Sequence, residues 1–235
     1  MSQPEVAYIE VAERSIAYRL RRGKAPTIVF LPGYASDMDG AKALALDAFA
    51  ERRGEAMLRL DYSGTGASRG RFEEGTLDRW LGEALALVDR LTDGPLILVG
   101  SSMGGWLALH LALRRPERVV GLVGIAAAAD FTDWGFTPDQ AAQLSDSGHL
   151  TRRFWESGQR MLLLSGEIGV DCPVRLIHGE ADPDVPLDVA FRTLSALRSA
   201  DVQLHILKGG GHRLSEPHEI AAILRAVAGL LEPET

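Results

Sequence analysis

Cysteine is nearly absent, Cys172 being the only one in 235 residues. A single thiol excludes an intramolecular disulfide and any metal site built on several cysteines. Its neighbours Asp171 and Pro173 lead into an apolar strand, so it reads as a half-buried structural thiol. Long apolar runs are missing too. The longest, Val119 to Ala129, is interrupted by Gly121 and Gly124 and is too short to span a bilayer. The opening residues, MSQPEVAYIEVAERS, lack the basic start and apolar stretch of a secretory signal. Positive charge is in deficit, 25 Lys and Arg against 32 Asp and Glu, for a net charge of -7. Phosphate recognition needs concentrated cations, so nucleic acid is not an expected partner. The one basic cluster, Arg19, Arg21, Arg22 and Lys24, reads as a solvated turn between two strands. These absences point to a reduced, cytoplasmic setting without a membrane span; a monomer or homodimer is expected.

What is present is apolar material at 46% with 24% charged residues, enough for one sizeable core. Strand-like and helix-like segments alternate. Residues 5–11 and 14–20 read as a hairpin, followed by strands at 27–31, 55–60, 96–100, 119–126, 174–179 and 203–208. Helical spacing covers 39–53, 77–92, 103–115, 188–199 and 216–231. The fold class is α/β: a mostly parallel eight-stranded sheet with helices on both faces and an antiparallel pair at one edge. Neither a repeat nor a linker divides residues 1–235, so one domain is expected. The alternation breaks at about 130–168. That stretch holds Phe131, Trp134, Phe136, Phe154 and Trp155 out of seven Phe, four Tyr and four Trp in the chain, and reads as a small cap.

The informative stretch is LILVGSSMGGWLALHLAL, residues 96–113. An apolar strand runs into Gly100-Ser101-Ser102-Met103-Gly104 and a helix follows at once. G-x-S-x-G between strand and helix is a nucleophile elbow, in which a tight turn strains the central serine and presents its hydroxyl at the carboxyl edge of the sheet. Glycine on both sides relieves the crowding. Ser102 has that flanking pair, whereas Ser101 would have Val99 and Met103, so Ser102 is the candidate nucleophile.

Serine needs a general base, and the base needs an orienting acid, in the chain order Ser, Asp or Glu, His. There are six histidines. His110 precedes the acid region, His149 falls in the cap, His178 and His205 lie in strands, and His218 opens the last helix. Only His212 occupies a loop after the last strand, in Lys208-Gly209-Gly210-Gly211-His212. The acid should follow the strand ending at Gly179, where Glu180, Asp182 and Asp184 are all near enough; spacing does not choose among them. The backbone N–H groups of Met103 and of Tyr34, in the loop after the third strand, are the candidate oxyanion donors. No metal or cofactor is called for.

These residues make the chain resemble an α/β-hydrolase across essentially its whole length. Asp61-Tyr62-Ser63-Gly64-Thr65-Gly66-Ala67-Ser68, the segment from Val99 to Leu107, and Cys172-Pro173-Val174-Arg175-Leu176-Ile177-His178-Gly179 are similar to the palmitoyl-protein thioesterase and acyl-glucuronide esterase group, described as mitochondrial. The family pattern H-G-x-x-D-x-x-V-P falls on His178 through Pro186 and implies Asp182 as the acid; the Asp61 block corresponds to a structural turn. The resemblance implies a serine hydrolase acting on a small-molecule or acylated substrate with an apolar acyl group, through an ester or thioester bond. Phe131, Trp134, Phe136 and Trp155 are the candidate acyl contacts. The absence of a presequence implies a bacterial-type cytoplasmic relative. Other chemistries of the fold, such as C–C hydrolysis, peptidase action or cofactor-free peroxidation, and plain ligand binding are the alternatives.

Overall fold

The computed structural model describes residues 3–148 and 150–232, which leaves the His149 candidate outside the described residues. Among these, eight strands form one sheet: β1 (Ala7–Val11), β2 (Arg14–Arg21), β3 (Lys24–Leu31), β4 (Glu55–Leu60), β5 (Leu96–Ser101), β6 (Val119–Ile125), β7 (Val174–Gly179) and β8 (Val202–Leu207). Their spatial order is β1-β2-β4-β3-β5-β6-β7-β8. The β1–β2 and β2–β4 pairs are antiparallel and every later pair is parallel. The larger helices are α1 (Ala41–Arg53), α2 (Leu77–Leu91), α3 (Met103–Arg114), α7 (Leu187–Ala196) and α8 (Pro217–Leu231). Three short ones, α4 (Phe131–Trp134), α5 (Pro138–Gln143) and α6 (Arg152–Gln159), lie between β6 and β7.

Unbroken apolar strands need cover on both faces, because successive side chains point to opposite sides. In β3, Ile28 and Phe30 face one way and pack with Ile97, Val99 and Ile125 under α1 and α8. Val29 and Leu31 face the other way, with Leu58, Leu98 and Leu122, under α2 and α3. Each fully buried aliphatic side chain contributes about 2 kcal/mol relative to exposure, so the two layers carry most of the driving force. No helix of the described residues is long and apolar enough to cross a membrane.

One local reading needs correction. Arg19 and Arg21 are not in a solvated turn; they lie in β2 and are paired. Arg19 grips Asp39 with two hydrogen bonds, at 3.1 and 3.0 Å, and Arg21 grips Asp47 at 3.0 and 2.8 Å. Arg59 of β4, 1% exposed, joins both acids. Those partners are remote in sequence, so a local charge pattern does not show them. The network also accounts for α1 starting at Ala41 and not at 39. Asp39 is held by the two arginines, and Gly40 takes the N-cap position.

Residue Asp130 opens the excursion between β6 and β7 in the left-handed region, at φ 59°. Its carboxylate closes the far end. Oδ1 accepts the Leu163 N–H at 2.8 Å and Oδ2 accepts the Leu164 N–H at 2.7 Å. Burial pushes the Asp130 carboxyl pKa up. Thr137 caps α5 in a reciprocal box with Gln140, and the Thr151 hydroxyl caps α6 by accepting the Phe154 N–H.

Candidate active site

The turn from β5 into α3 carries Ser102 at φ 54°, ψ -121°, a strained conformation for a residue with a side chain. It is tolerated because nothing flanks it. A Cβ on Gly100 would come within 2.2 Å of the Gly104 carbonyl oxygen, and one on Gly104 within 2.0 Å of the Leu31 carbonyl oxygen. The Ser102 N–H donates to the Ile125 carbonyl at 2.9 Å, which ties the elbow to the end of β6. Met103 is the first residue of α3, so its N–H is among the helix amides that have no acceptor within the helix.

His212 arrives from the loop after β8. That loop is anchored, because its Gly210 carbonyl accepts the Ala181 N–H at 2.9 Å, binding it to the turn after β7. The result is a chain of three side chains. The Ser102 hydroxyl lies 3.0 Å from His212 Nε2, and His212 Nδ1 lies 2.9 Å from Asp182 Oδ2. A carboxylate only accepts, so Nδ1–H donates and Nε2 is left to accept the serine proton. Asp182 Oδ1 accepts the N–H groups of Asp184 and Val185, each at 2.9 Å, and its side chain is 1% exposed against 21% for His212. Glu180 instead accepts the Gly209 N–H through Oε2 at 3.1 Å. Asp182, Asp184 and His212 offer three donor atoms within 4.8 Å of one another, but the two Asp182 oxygens are already committed to N–H donors.

Sequence reasoning passed over His178. Its Nε2 lies 2.9 Å from the Val185 carbonyl and 3.6 Å from Asp182 Oδ2, in a fully enclosed position. The signal was available: this histidine opens the same H-G-x-x-D-x-x-V-P stretch that marks the acid. His110 is buried and bonds the Met161 carbonyl through Nε2 at 2.9 Å; burial lowers its pKa to about 4. His205 and His218 are exposed, and His205 lies in a separate groove with Pro173 and Leu230.

Gly33 lies beside the elbow, a Cβ there falling 3.3 Å from Ser102 Cβ, and this brings Tyr34 to the site. The Tyr34 ring packs at 4.9 Å from Phe154, 5.1 Å from Phe72 and 6.3 Å from Phe131 between centroids. Burial pushes the Tyr34 phenol pKa up. Phe154 and Phe131 of the excursion therefore both reach the Tyr34 wall, Phe131 being one of the four candidate acyl contacts. None of the four is among the residues that line the cleft at Ser102. The Trp134 indole donates to the Ala129 carbonyl at 2.7 Å and the Trp155 indole to the Thr132 carbonyl at 2.8 Å. Phe136 and Trp155 line a separate groove with Thr132 and Arg152. A cleft of about 400 Å³ does open on Ser102 and His212; its other walls include Tyr34, Asp37, Lys42 and Arg213.

The α/β hydrolase fold family matches residues 26–148. The mitochondrial palmitoyl-protein thioesterase ABHD10 of Homo sapiens is 38% identical over 235 residues, spanning 93% of this chain and 77% of that protein. The structure of mouse alpha/beta hydrolase domain-containing protein 10 superposes with a TM-score of 0.91 at 34% identity, over 97% of this chain and 98% of that one. A protein structure from Agrobacterium vitis S4 gives 0.88 at 38% identity, over 97% and 99%. The cytoplasmic setting expected from the sequence is corrected by these relatives: the curated ones are mitochondrial proteins, and the cytoplasmic assignment does not stand. With identity at this level over nearly the whole chain, the protein is a hydrolase and belongs to the α/β-hydrolase fold family.

Proposed function

We propose that the protein is a serine hydrolase that cleaves a carboxylic ester or thioester through an acyl-enzyme on Ser102. The observation that carries this reading is the unbroken hydrogen-bond relay from the Ser102 hydroxyl through His212 to Asp182. In the first half-reaction His212 Nε2 takes the hydroxyl proton as Ser102 Oγ attacks the carbonyl carbon. Asp182 holds the imidazole in the right tautomer and stabilises its charged form. The N–H groups of Met103 and Tyr34 stabilise the oxyanion, each contributing about 3 kcal/mol. His212 protonates the departing alcohol or thiol. Water then repeats the sequence on the acyl-enzyme and frees the acid. We read residues 130–168 as a small cap on a single domain, with Phe131 on the acyl side and Trp134, Phe136 and Trp155 holding the cap together. The thioesterase name of the relatives at 38% identity supports an acylated thiol, with a fatty acyl group, as the substrate class.

The test is labelling with a fluorophosphonate together with turnover of p-nitrophenyl butanoate. Ser102→Ala should stay folded, lose labelling and lose turnover. Asp182→Asn should lower kcat about 10⁴-fold by favouring the wrong imidazole tautomer, while Asp184→Asn stays within about tenfold of the parent. Labelling that survives in Ser102→Ala overturns the nucleophile, and equal losses at 182 and 184 overturn the acid.

A further inference from the structure

The cleft at Ser102 is not the apolar trough that an acyl chain alone would need. Its walls are the loop from Gly33 to Asp37, the start of α1 with Lys42, and the His212 loop with Arg213 and Ser215. The side that carries His212 is the leaving-group side, because the same imidazole must hand its proton to the departing atom. Two cations stand there. The Lys42 ammonium donates to the Arg213 backbone carbonyl, and both side chains line the cleft. Asp37 is the acid among the lining residues, and its Oδ1 is engaged by the Asp39 N–H at 2.9 Å.

We infer that Lys42 and Arg213 form a leaving-group subsite for an anion, a carboxylate or phosphate carried by the alcohol or thiol that departs. The inference rests on the acyl-transfer reading above and deepens it. The physical logic is charge placement. Burial lowers the Lys42 pKa, the Arg213 charge lowers it further, and Glu219 acts against both. A partly dehydrated ammonium that faces a second cation gains from an incoming anion. Such an anion, fixed beside His212, would set the scissile bond between nucleophile and base without any contact to the acyl chain.

Paired substrates with one butanoyl group separate the charge from everything else. The carboxylate arm compares 4-carboxyphenyl with 4-carbamoylphenyl butanoate. The phosphate arm compares butanoyl-coenzyme A with butanoyl-N-acetylcysteamine. In the parent, kcat/KM should favour the anionic member of at least one pair by about tenfold, mainly through KM, and the preference should shrink at high salt. Which arm shows it identifies the anion. Lys42→Met and Arg213→Gln should each reduce that ratio, Lys42→Glu should invert it, and Lys42→Arg should restore it. A ratio near one in both arms, or one unchanged in Lys42→Glu, overturns the subsite. Fluorophosphonate labelling of Ser102 is scored in the same samples. Its loss in the parent would count against the acyl-transfer reading, whereas intact labelling with a flat ratio counts against the subsite alone.

Discussion

A histidine buried behind the acid has a role that its position in a strand conceals. His178 Nε2 faces the Val185 carbonyl, and since a carbonyl only accepts, that nitrogen carries the proton. The Val185 N–H in turn donates to Asp182 Oδ1. His178 thus fixes the turn whose amides fix the Asp182 carboxylate, and in the proposed relay this is a positioning role, two contacts from the acid. We expect His178→Phe to keep the fold and KM but to lower kcat by about tenfold to a hundredfold, the size of loss that a small misplacement produces. His178→Gln, which keeps an N–H donor, should recover part of it. Steady-state kinetics on one ester checks this, and an unchanged kcat in His178→Phe would reduce the residue to core filling. The contrast with Ser102 shows what is legible at this scale. Ser102 announces itself through its glycine neighbours, because local backbone strain has local sequence consequences. His178, Lys42 and Arg213 draw their meaning from partners or walls that only the fold supplies.

Elements were readable where periodicity is long and less so where it is broken. The strand from Leu96 follows from a continuous apolar run and the helix from Leu77 from helical spacing of its apolar residues, and the sheet order then brings the turns after β5, β7 and β8 to one edge. The 130–168 excursion was different. Its aromatic content signals apolar packing but not its direction: the Trp155 indole is used inside the excursion, on the Thr132 carbonyl, and the Trp134 indole at its base, on the Ala129 carbonyl. What fixes it is a polar clasp, the Asp130 carboxylate holding the Leu163 and Leu164 amides. Thirty-odd residues separate those groups, so no window of sequence reveals the pairing. Asp130→Ala leaves the two N–H groups without their acceptor and should cost about 2 kcal/mol of stability. Hydrogen exchange locates the effect: the Leu163 and Leu164 amides should lose protection while those of β5 and β6 keep it. Unaltered protection at 163 and 164 would mean that packing, not the carboxylate, closes the excursion.

Across the whole molecule, two apolar layers on one sheet leave little room for charge, yet several carboxyls sit inside. Asp61 is bound on two sides, accepting the Met38 N–H at 2.7 Å and the Ala67 N–H at 2.8 Å, which joins the turn after β4 to the loop before α1. Glu83 is less well served. Oε2 accepts the Ser63 N–H at 2.9 Å, while Oε1 is buried with no hydrogen-bond partner among the described residues. Burial pushes its pKa up, against weaker opposing effects from Ser63, Arg14 and Arg79. A carboxyl whose pKa is raised by folding favours the protonated form in the native state. Its contribution to stability is therefore complete below the unfolded carboxylate pKa and is lost as pH climbs through the raised folded value. Glu83→Gln stays neutral at every pH and escapes that loss. In urea unfolding the variant and the parent should share one midpoint near pH 4, and the variant should move ahead as pH rises to 8, with the slope m unchanged. A parent that moves ahead of the variant by pH 8 would mean that Arg14 and Arg79 hold the ionised carboxylate more favourably than burial penalises it.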